Sequence, residues 1–439
     1  MKIKELYLKN FRCFEETKID FNTDYTIFVG VNGAGKSSIL NAIQILLYPF
    51  ILSSRFDHRQ GLCYCCNLKN ERILKESDIT TKTKQIGSIL NQELQYPMIL
   101  KSILQKPDDI EIPLKYELDN NYIHTSAETE SLGFEIQNLQ NKVTEDEKTI
   151  LPVIAYYGTK RQWDKKEQEN IDDILFMPQM NGYTNALSAE PFNITKMRHW
   201  FSRMLLISRK KPVLEFEAVR NAISDCYKEI DDREELKKVE IDYDAEKEDI
   251  EIQMYFEDKI EILPLNYLSD GMKSILAIVS DIAYRMATLN PNLLGDVIKE
   301  TDGIVMIDEI DMHLHPSWQR KIVNSLTKTF PKVQFIFTTH SPTVLTYVPK
   351  ENIKIISNGN IFDTNINTYG RDVNSILREI MHSKIRPSET QKILDDFSDS
   401  IADSDFEKAE RRLQELKRIL GENDSEVVHA QVTLDLEKI

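Results

Sequence analysis

Apolar residues recur along this chain with two periods. Tyr25-Thr-Ile-Phe-Val29, Leu151-Pro-Val-Ile-Ala-Tyr-Tyr157, Gly303-Ile-Val-Met-Ile307 and Val333-Gln-Phe-Ile-Phe337 are near-continuous apolar runs bounded by polar or glycine turns. Short runs of that kind predict strands buried on both faces. Lys2-Ile-Lys-Glu-Leu-Tyr-Leu8, Lys18-Ile-Asp-Phe21 and residues 110–118, 239–243 and 249–256 alternate apolar with polar positions. They predict strands with one solvated face, the last two forming a hairpin. Helical spacing appears at 38–47, 215–228, 232–238 and 275–288, within a mostly helical stretch at 163–238 for the middle two. It returns in a stripe of Phe406, Ala409, Leu413, Leu416 and Leu420, which Gly421 ends. Ser388-Glu-Thr-Gln391 and Ser404-Asp-Phe-Glu407 have the capping-box spacing. Residues 125–148 are polar and acidic and predict solvated hairpins or loops. Strands alternating with helices predict an α/β fold. The order divides the chain into one head, residues 1–160 and 239–370, a helical insertion at 161–238, and a helical tail at 371–439. The stripe in the tail must be buried, against the head or against another protein.

Several of the buried strands end in residues that carry chemistry. After Val29 comes Gly30-Val-Asn-Gly-Ala-Gly-Lys-Ser37, then a helix. Strand, glycine turn and helix with Lys and Ser at the turn's end form the P-loop context. Glycines at 30, 33 and 35 let the backbone N–H groups from Asn32 through Ser38, Ala34 included, wrap a phosphate. Lys36 is placed to reach the β- and γ-phosphates of ATP, and the Ser37 hydroxyl to ligate Mg²⁺. Leu268-Ser-Asp-Gly-Met-Lys-Ser274 opens a helix: Ser269 or Asp270 can cap it, and Gly271 permits close backbone approach. Asp308 and Glu309 follow a buried strand, Asp308 suited to hold Mg²⁺ through water and Glu309 to polarise an attacking water. His313 and His315 have no further ligand at metal spacing, so capping or packing roles are expected. His340 ends the strand after that.

Composition narrows the partners. The chain has 439 residues and a formal net charge of −16, so a nucleic acid would need a local basic patch. Arg198-His-Trp-Phe-Ser-Arg203 with Arg209-Lys-Lys211 is the most basic neighbourhood. It reads as a nucleic-acid surface or as a solvated face with Trp200 and Phe201 in the core. Five cysteines, three of them crowded at Cys63, Cys65 and Cys66, form no disulfide framework and lack a partner pair at zinc spacing. With no signal-peptide pattern and no apolar run of membrane-spanning length, the cytoplasm is expected.

The strand-turn opening with Asn10-Phe-Arg-Cys-Phe14, the P-loop, LSDGM, IDE and TTH follow the order seen in the SMC, RecF and OLD group of ABC-type ATPases, and this chain resembles that group over residues 1–345. LSDGM in place of the transporter pattern LSGGQ argues against a transporter subunit. YYGTKR, LSDGMKSILAIVSDIA, IDEIDMHLHPSWQ and FPKVQFIFTTHSP further resemble the bacterial anti-phage defence ATPases of the Septu type. The resemblance implies that Arg12 approaches the nucleotide and that His340 reaches the γ-phosphate. It also implies that Asp311 contacts a second subunit, and that Ser269, Asp270 and Gly271 close on ATP held by that subunit's P-loop. A glutamine near residue 160 would help hold Mg²⁺; Gln162 is poorly placed, and that role stays open. An ATP-sandwiched homodimer or higher oligomer is implied, with a companion HNH nuclease (PtuB) and DNA reached through the complex. Capped helices follow His340 where OLD nucleases carry a Toprim domain, and no heptad tracts supply SMC-type arms. The alternative from the same resemblance is a RecF-like, ATP-dependent DNA-binding clamp for repair, without a nuclease.

Overall fold

A computed structural model describes residues 1–54, 74–86, 89–120, 122–145, 149–159, 178–188, 194–381, 383 and 385–438. The chain begins with an antiparallel hairpin, β1 (Lys2–Phe11) and β2 (Phe14–Asp20). Next, β3 (Tyr25–Val29) runs through the glycine turn into α1 (Lys36–Ser53). Ile39, Leu40, Ile43, Leu46 and Leu47 recur at three- and four-residue steps, and all are buried. Among the described residues α1 is the one helix long and apolar enough to cross a membrane, yet 67% of it lies buried inside the fold.

A small hairpin, β4 (Thr81–Ile86) and β5 (Ile89–Leu94), leads to β6 (Met98–Gln105), β7 (Glu111–Asp119) and β8 (Tyr122–Thr125). Strands β2, β1, β6, β7 and β8 pair in that order as an antiparallel sheet. The alternation in β7 turns Ile112, Leu114 and Tyr116 inward. Within residues 125–148, expected as loops, Ala127–Glu145 instead form α2, which packs on α1 and β7. Ser126 Oγ accepts from the Thr129 N–H at 3.1 Å, and Leu132 and Ile136, one turn apart, are fully buried. A seam that narrow is hidden by the polar residues around it.

Then come β9 (Val153–Tyr157), α3 (Ile194–Ser208) and α4 (Leu214–Ile230). β10 (Lys238–Asp244), β11 (Asp249–Tyr255) and β12 (Ile260–Pro264) form a separate antiparallel sheet. Residues 232–238 are not helical: turns clasped by Arg233 on Asp231 at 2.8 Å occupy 232–237, and β10 starts at Lys238. The first unit, Met1–Arg371, is completed by α5 (Asp270–Leu289), β13 (Gly303–Ile307), α6 (Pro316–Thr329), β14 (Val333–Thr339), β15 (Ile353–Ser357) and β16 (Asn360–Asp363). Its central sheet runs β16-β15-β3-β14-β13-β9, parallel except at β16. Every residue of β9, β13 and β14 is buried, which accounts for their continuous apolar sequence.

A second compact unit spans Asp372–Ile439. It comprises α7 (Val373–Glu379), α8 (Ser388–Ala402), α9 (Phe406–Leu420) and α10 (Ser425–Glu437). The sequence leads to the expectation that the α9 stripe is buried against the head or another protein; in the structure its residues close on other helices of the tail. Ala409, Leu413 and Leu416 close on Phe397 of α8 and on Val427, Ala430 and Leu434 of α10. Its N-cap is Asp405, which accepts from Lys408 N, because Ser404 sits at φ +58° with Asp405 after it. α8 likewise begins at Ser388 itself, behind Pro387, with no side-chain cap. Cys63, Cys65 and Cys66 lie outside the described residues; Cys13 is exposed and Cys226 buried.

Candidate nucleotide site

The order β3-β14-β13-β9 brings four parallel carboxyl ends to one edge, where open α/β sheets bind their ligands. Val29 pairs with Thr339, and Ile307 pairs with both Phe337 and Tyr157. The residues that leave these strands therefore become neighbours across the whole chain. Gly33 and Gly35 adopt φ +79° and +109°, the left-handed region that glycine tolerates. A Cβ at Gly35 would lie 2.4 Å from Cys13 Sγ, so the β1–β2 turn presses directly on the loop. Asn32 projects into solvent, Ala34 N donates to Val31 O at 3.1 Å, and Ser38 sits half-buried in the first turn of α1. Lys36 is only 5% exposed. Its Nζ donates to Gly30 O at 2.9 Å and Val31 O at 3.1 Å, and lies 3.4 Å from His340 Nδ1. Burial pulls its pKa below the usual lysine value, against the opposing pull of Glu309, Asp308 and Asp311.

Ser37 Oγ donates to Asp308 Oδ2 at 2.7 Å, and Thr338 Oγ1 donates to Asp308 Oδ1 at 2.5 Å. A hydroxyl and a carboxylate converging at the head of the phosphate loop are the hard oxygen donors that Mg²⁺ takes, so the residues fit that ion. Glu309 holds φ +48°, a strained value for a non-glycine residue that costs on the order of 1–3 kcal/mol. Its N–H donates to Thr338 Oγ1 at 2.7 Å, and its carbonyl accepts from Met312 N at 2.9 Å. The turn so fixed leaves the carboxylate 37% exposed and 3.9 Å from His340 Nε2. Burial first, and Lys36 second, lower the pKa of His340. The ring is therefore neutral near pH 7. With the Lys36 ammonium on Nδ1, the ring proton belongs on Nε2, facing Glu309. Asp311 Oδ1 accepts from Thr339 Oγ1 at 2.6 Å and from His340 N at 3.4 Å. His315 caps α6 by accepting from Ser317 N. Among the described residues no group of three His, Cys, Asp or Glu could hold a metal by itself.

The structure does not bring Ser269, Asp270 and Gly271 to this loop. Ser269 caps α5, accepting from Met272 N at 3.3 Å. Neither it nor Asp270 forms a hydrogen bond or ion pair with the P-loop of its own chain, among the described residues. A Cβ at Gly271 would meet His313 O at 2.6 Å, so the start of α5 is seated on the loop after Glu309. Arg12 is held elsewhere: Nε and a terminal nitrogen engage Asp78 Oδ1 at 2.9 and 2.8 Å. Gln162 lies outside the described residues.

One buried network escaped the sequence reading. Tyr157 OH and Arg285 Nε both donate to Asp281 Oδ2, each at 2.7 Å. Arg285 also donates to Gly182 O and Thr184 O, at 2.8 and 3.0 Å. The Tyr157 carbonyl accepts from Asp308 N at 2.8 Å. Helix α5, which begins at Ser269, is thus tied through one tyrosine to the backbone of Asp308. The available signal was an acid and a base four apart, Asp281 and Arg285, inside an otherwise apolar helix.

Residues 1–345 match the family described as AAA ATPase domain. A retron Ec83 probable ATPase of Escherichia coli is 26% identical over 100% of this chain and 87% of its own length. Septu protein PtuA of Bacillus mycoides is 27% identical over 77% of this chain and 38% of its own length. Among solved structures, an SMC head domain from Thermotoga maritima aligns with TM-score 0.44 at 15% identity, covering 83% of this chain and 100% of that one. The last likeness is loose; strand order and site geometry carry the fold by themselves.

Proposed function

The chain belongs to the AAA ATPase domain family and is an ATP-hydrolysing enzyme; on that premise we propose that its ATP site is completed by a second copy, and that the closed pair governs a separate nuclease. One observation carries the first half. Ser37 bonds Asp308, Lys36 lies 3.4 Å from His340, and His340 lies 3.9 Å from Glu309, while Ser269 and Asp270 form no bond to their own P-loop among the described residues. A helix N-terminus is suited to an anion, and ATP on a second copy would supply one.

Within the site the loop N–H groups and Lys36 hold the β- and γ-phosphates. Ser37 and Asp308 would hold Mg²⁺, which when bound neutralises phosphate oxygens. Glu309 accepts a proton from the attacking water. His340 donates from Nε2 to the γ-phosphate, its orientation fixed by Lys36 at Nδ1. Arg12, Asn32, Gly33, Ala34, Gly35 and Ser38 are the remaining contacts to the nucleotide of the same chain. For Arg12 this requires release from Asp78.

Likeness to the retron ATPase and to Septu protein PtuA supports a place among anti-phage defence ATPases. The effector proposed is an HNH nuclease of the PtuB kind, acting on DNA in the cytoplasm. Glu309→Gln should keep ATP bound, lower turnover about 10²–10⁴-fold and accumulate a dimer in light scattering. A variant that remains a monomer at saturating ATP contradicts the proposal.

A further inference from the structure

The basic neighbourhood on α3 has no part in the ATP site. Trp200 and Phe201 lie at the core side of this helix, edge-on to Phe216, and Trp200 also meets Tyr284. The helix is thereby anchored, and a different face is left to solvent. That face carries His199, Arg203 and Leu206, spaced four and three residues apart, with Lys210 and Lys211 in the turn just beyond the helix end. Together with Tyr243 and Glu248, from the β10–β11 turn region, these residues line a cavity of about 960 Å³.

Charge makes the cleft unusual for this chain. The net charge is −16, and many surface lysines and arginines pair with a carboxylate. Arg198, off the lining face, pairs with Asp249 at 2.8 Å. Arg203, Lys210 and Lys211 have no such partner among the described residues. Three unpaired cations crowded into one concavity repel one another and attract an anion. The rest of the lining is an aromatic and apolar part, Tyr243, Leu206 and Ile207, with the polar Ser202 and His199, and Glu248 as its one carboxylate. An inorganic anion uses only the cations. A ligand that uses both parts carries phosphate and a flat, partly apolar body, and the volume is that of a small-ligand site.

We propose that this cleft is a second nucleotide site, separate from that at Lys36, and that it takes a nucleoside phosphate. The phosphates lie against Arg203, Lys210 and Lys211. The base lies against Tyr243 and Leu206, and Glu248 accepts from its amine. The same chemistry arrives as a free nucleotide or as one unit of a single strand. The inference requires neither dimerisation nor a nuclease partner.

Full-length protein carrying Lys36→Ala, which silences the P-loop, is titrated into fluorescently labelled single-stranded oligodeoxynucleotide and, separately, labelled dAMP. Anisotropy is read across a salt series. Saturable binding of either ligand is expected. Arg203→Glu/Lys210→Glu/Lys211→Glu should weaken it at least about tenfold and, on the strand, flatten the log–log salt slope by about 2, since each phosphate contact contributes about 0.7. Tyr243→Ala should weaken it about fivefold or more. Unlabelled dAMP that displaces the strand assigns the site to free nucleotide; failure to displace it assigns the site to a strand. Binding of neither ligand overturns the proposal, as does equal affinity in the charge-reversal variant. Inorganic triphosphate competing as well as dAMP removes the base contact and overturns it too. The milder Lys210→Gln/Lys211→Gln, at the exposed end of α3, serves if charge reversal prevents folding. It should still weaken binding several-fold, and unchanged affinity in it counts against the proposal.

Discussion

Lys36 stands between two demands. Burial disfavours its charge, and the site holds that charge in place with two backbone carbonyls and three nearby carboxylates. Lys36→Ala should weaken ATP binding by about 30-fold or more, in line with the roughly 2–5 kcal/mol lost when a desolvated charge contact is truncated; calorimetry checks this. His340 has the opposite requirement, since it acts as a neutral ring. Its pKa lies below the ordinary 6.5, because of burial and then Lys36. The ring is therefore mostly neutral near pH 7 and gains its proton at a lower pH than an ordinary histidine does. Turnover measured against pH should be flat around neutrality and fall on the acid side, below the range of an ordinary histidine. The unfolded chain protonates this ring more readily, so acid also favours unfolding. A rate already halved above pH 7 would assign the decline to another group. These residues were legible in sequence because each follows a buried strand, and a motif at a strand end has a fixed place in space. Arg12 was not: its pairing with Asp78 spans 66 positions and leaves no local pattern.

At the scale of elements, helix α5 is the informative one. Its sequence offered Ser269 or Asp270 as the cap and showed the apolar face, but not why Asp281 and Arg285 should stand inside a buried helix. The structure supplies the reason: with Tyr157 they clasp the helix to β9 and to the turn at 182–184. Arg285→Leu leaves Asp281 buried without its cation, and such a loss costs about 3–5 kcal/mol. Chemical denaturation should show the midpoint fall; Asp281→Asn on top of it should recover part of the loss. A variant as stable as wild type would mean the network is not stabilising. Helix α2 shows the converse problem. Leu132 and Ile136 are the buried hydrophobic residues among its described positions, and a polar majority outweighs two residues in any reading by composition. The α9 stripe was legible as a stripe, yet its partners, Phe397, Val427, Ala430 and Leu434, belong to two other helices that a one-dimensional pattern cannot pair with it.

For the whole molecule, two compact units imply two separable properties. The tail closes its own core, so ending the chain at Arg371 removes that core entire. The truncated protein should stay soluble and bind ATP within about twofold of wild type, and it should lose co-purification with the nuclease we propose as partner. Retained co-purification would place the docking surface on the head. The central claim is that one ATP site needs residues from two copies, and mixing two inactive variants tests it directly. Lys36→Ala lacks a working P-loop but has an intact Ser269 loop; Ser269→Arg has the reverse. Each alone should hydrolyse ATP at background. An equimolar mixture should recover activity, because a mixed pair contains one site with an intact P-loop from one chain and an intact Ser269 loop from the other. A mixture no more active than its two components would contradict the shared site.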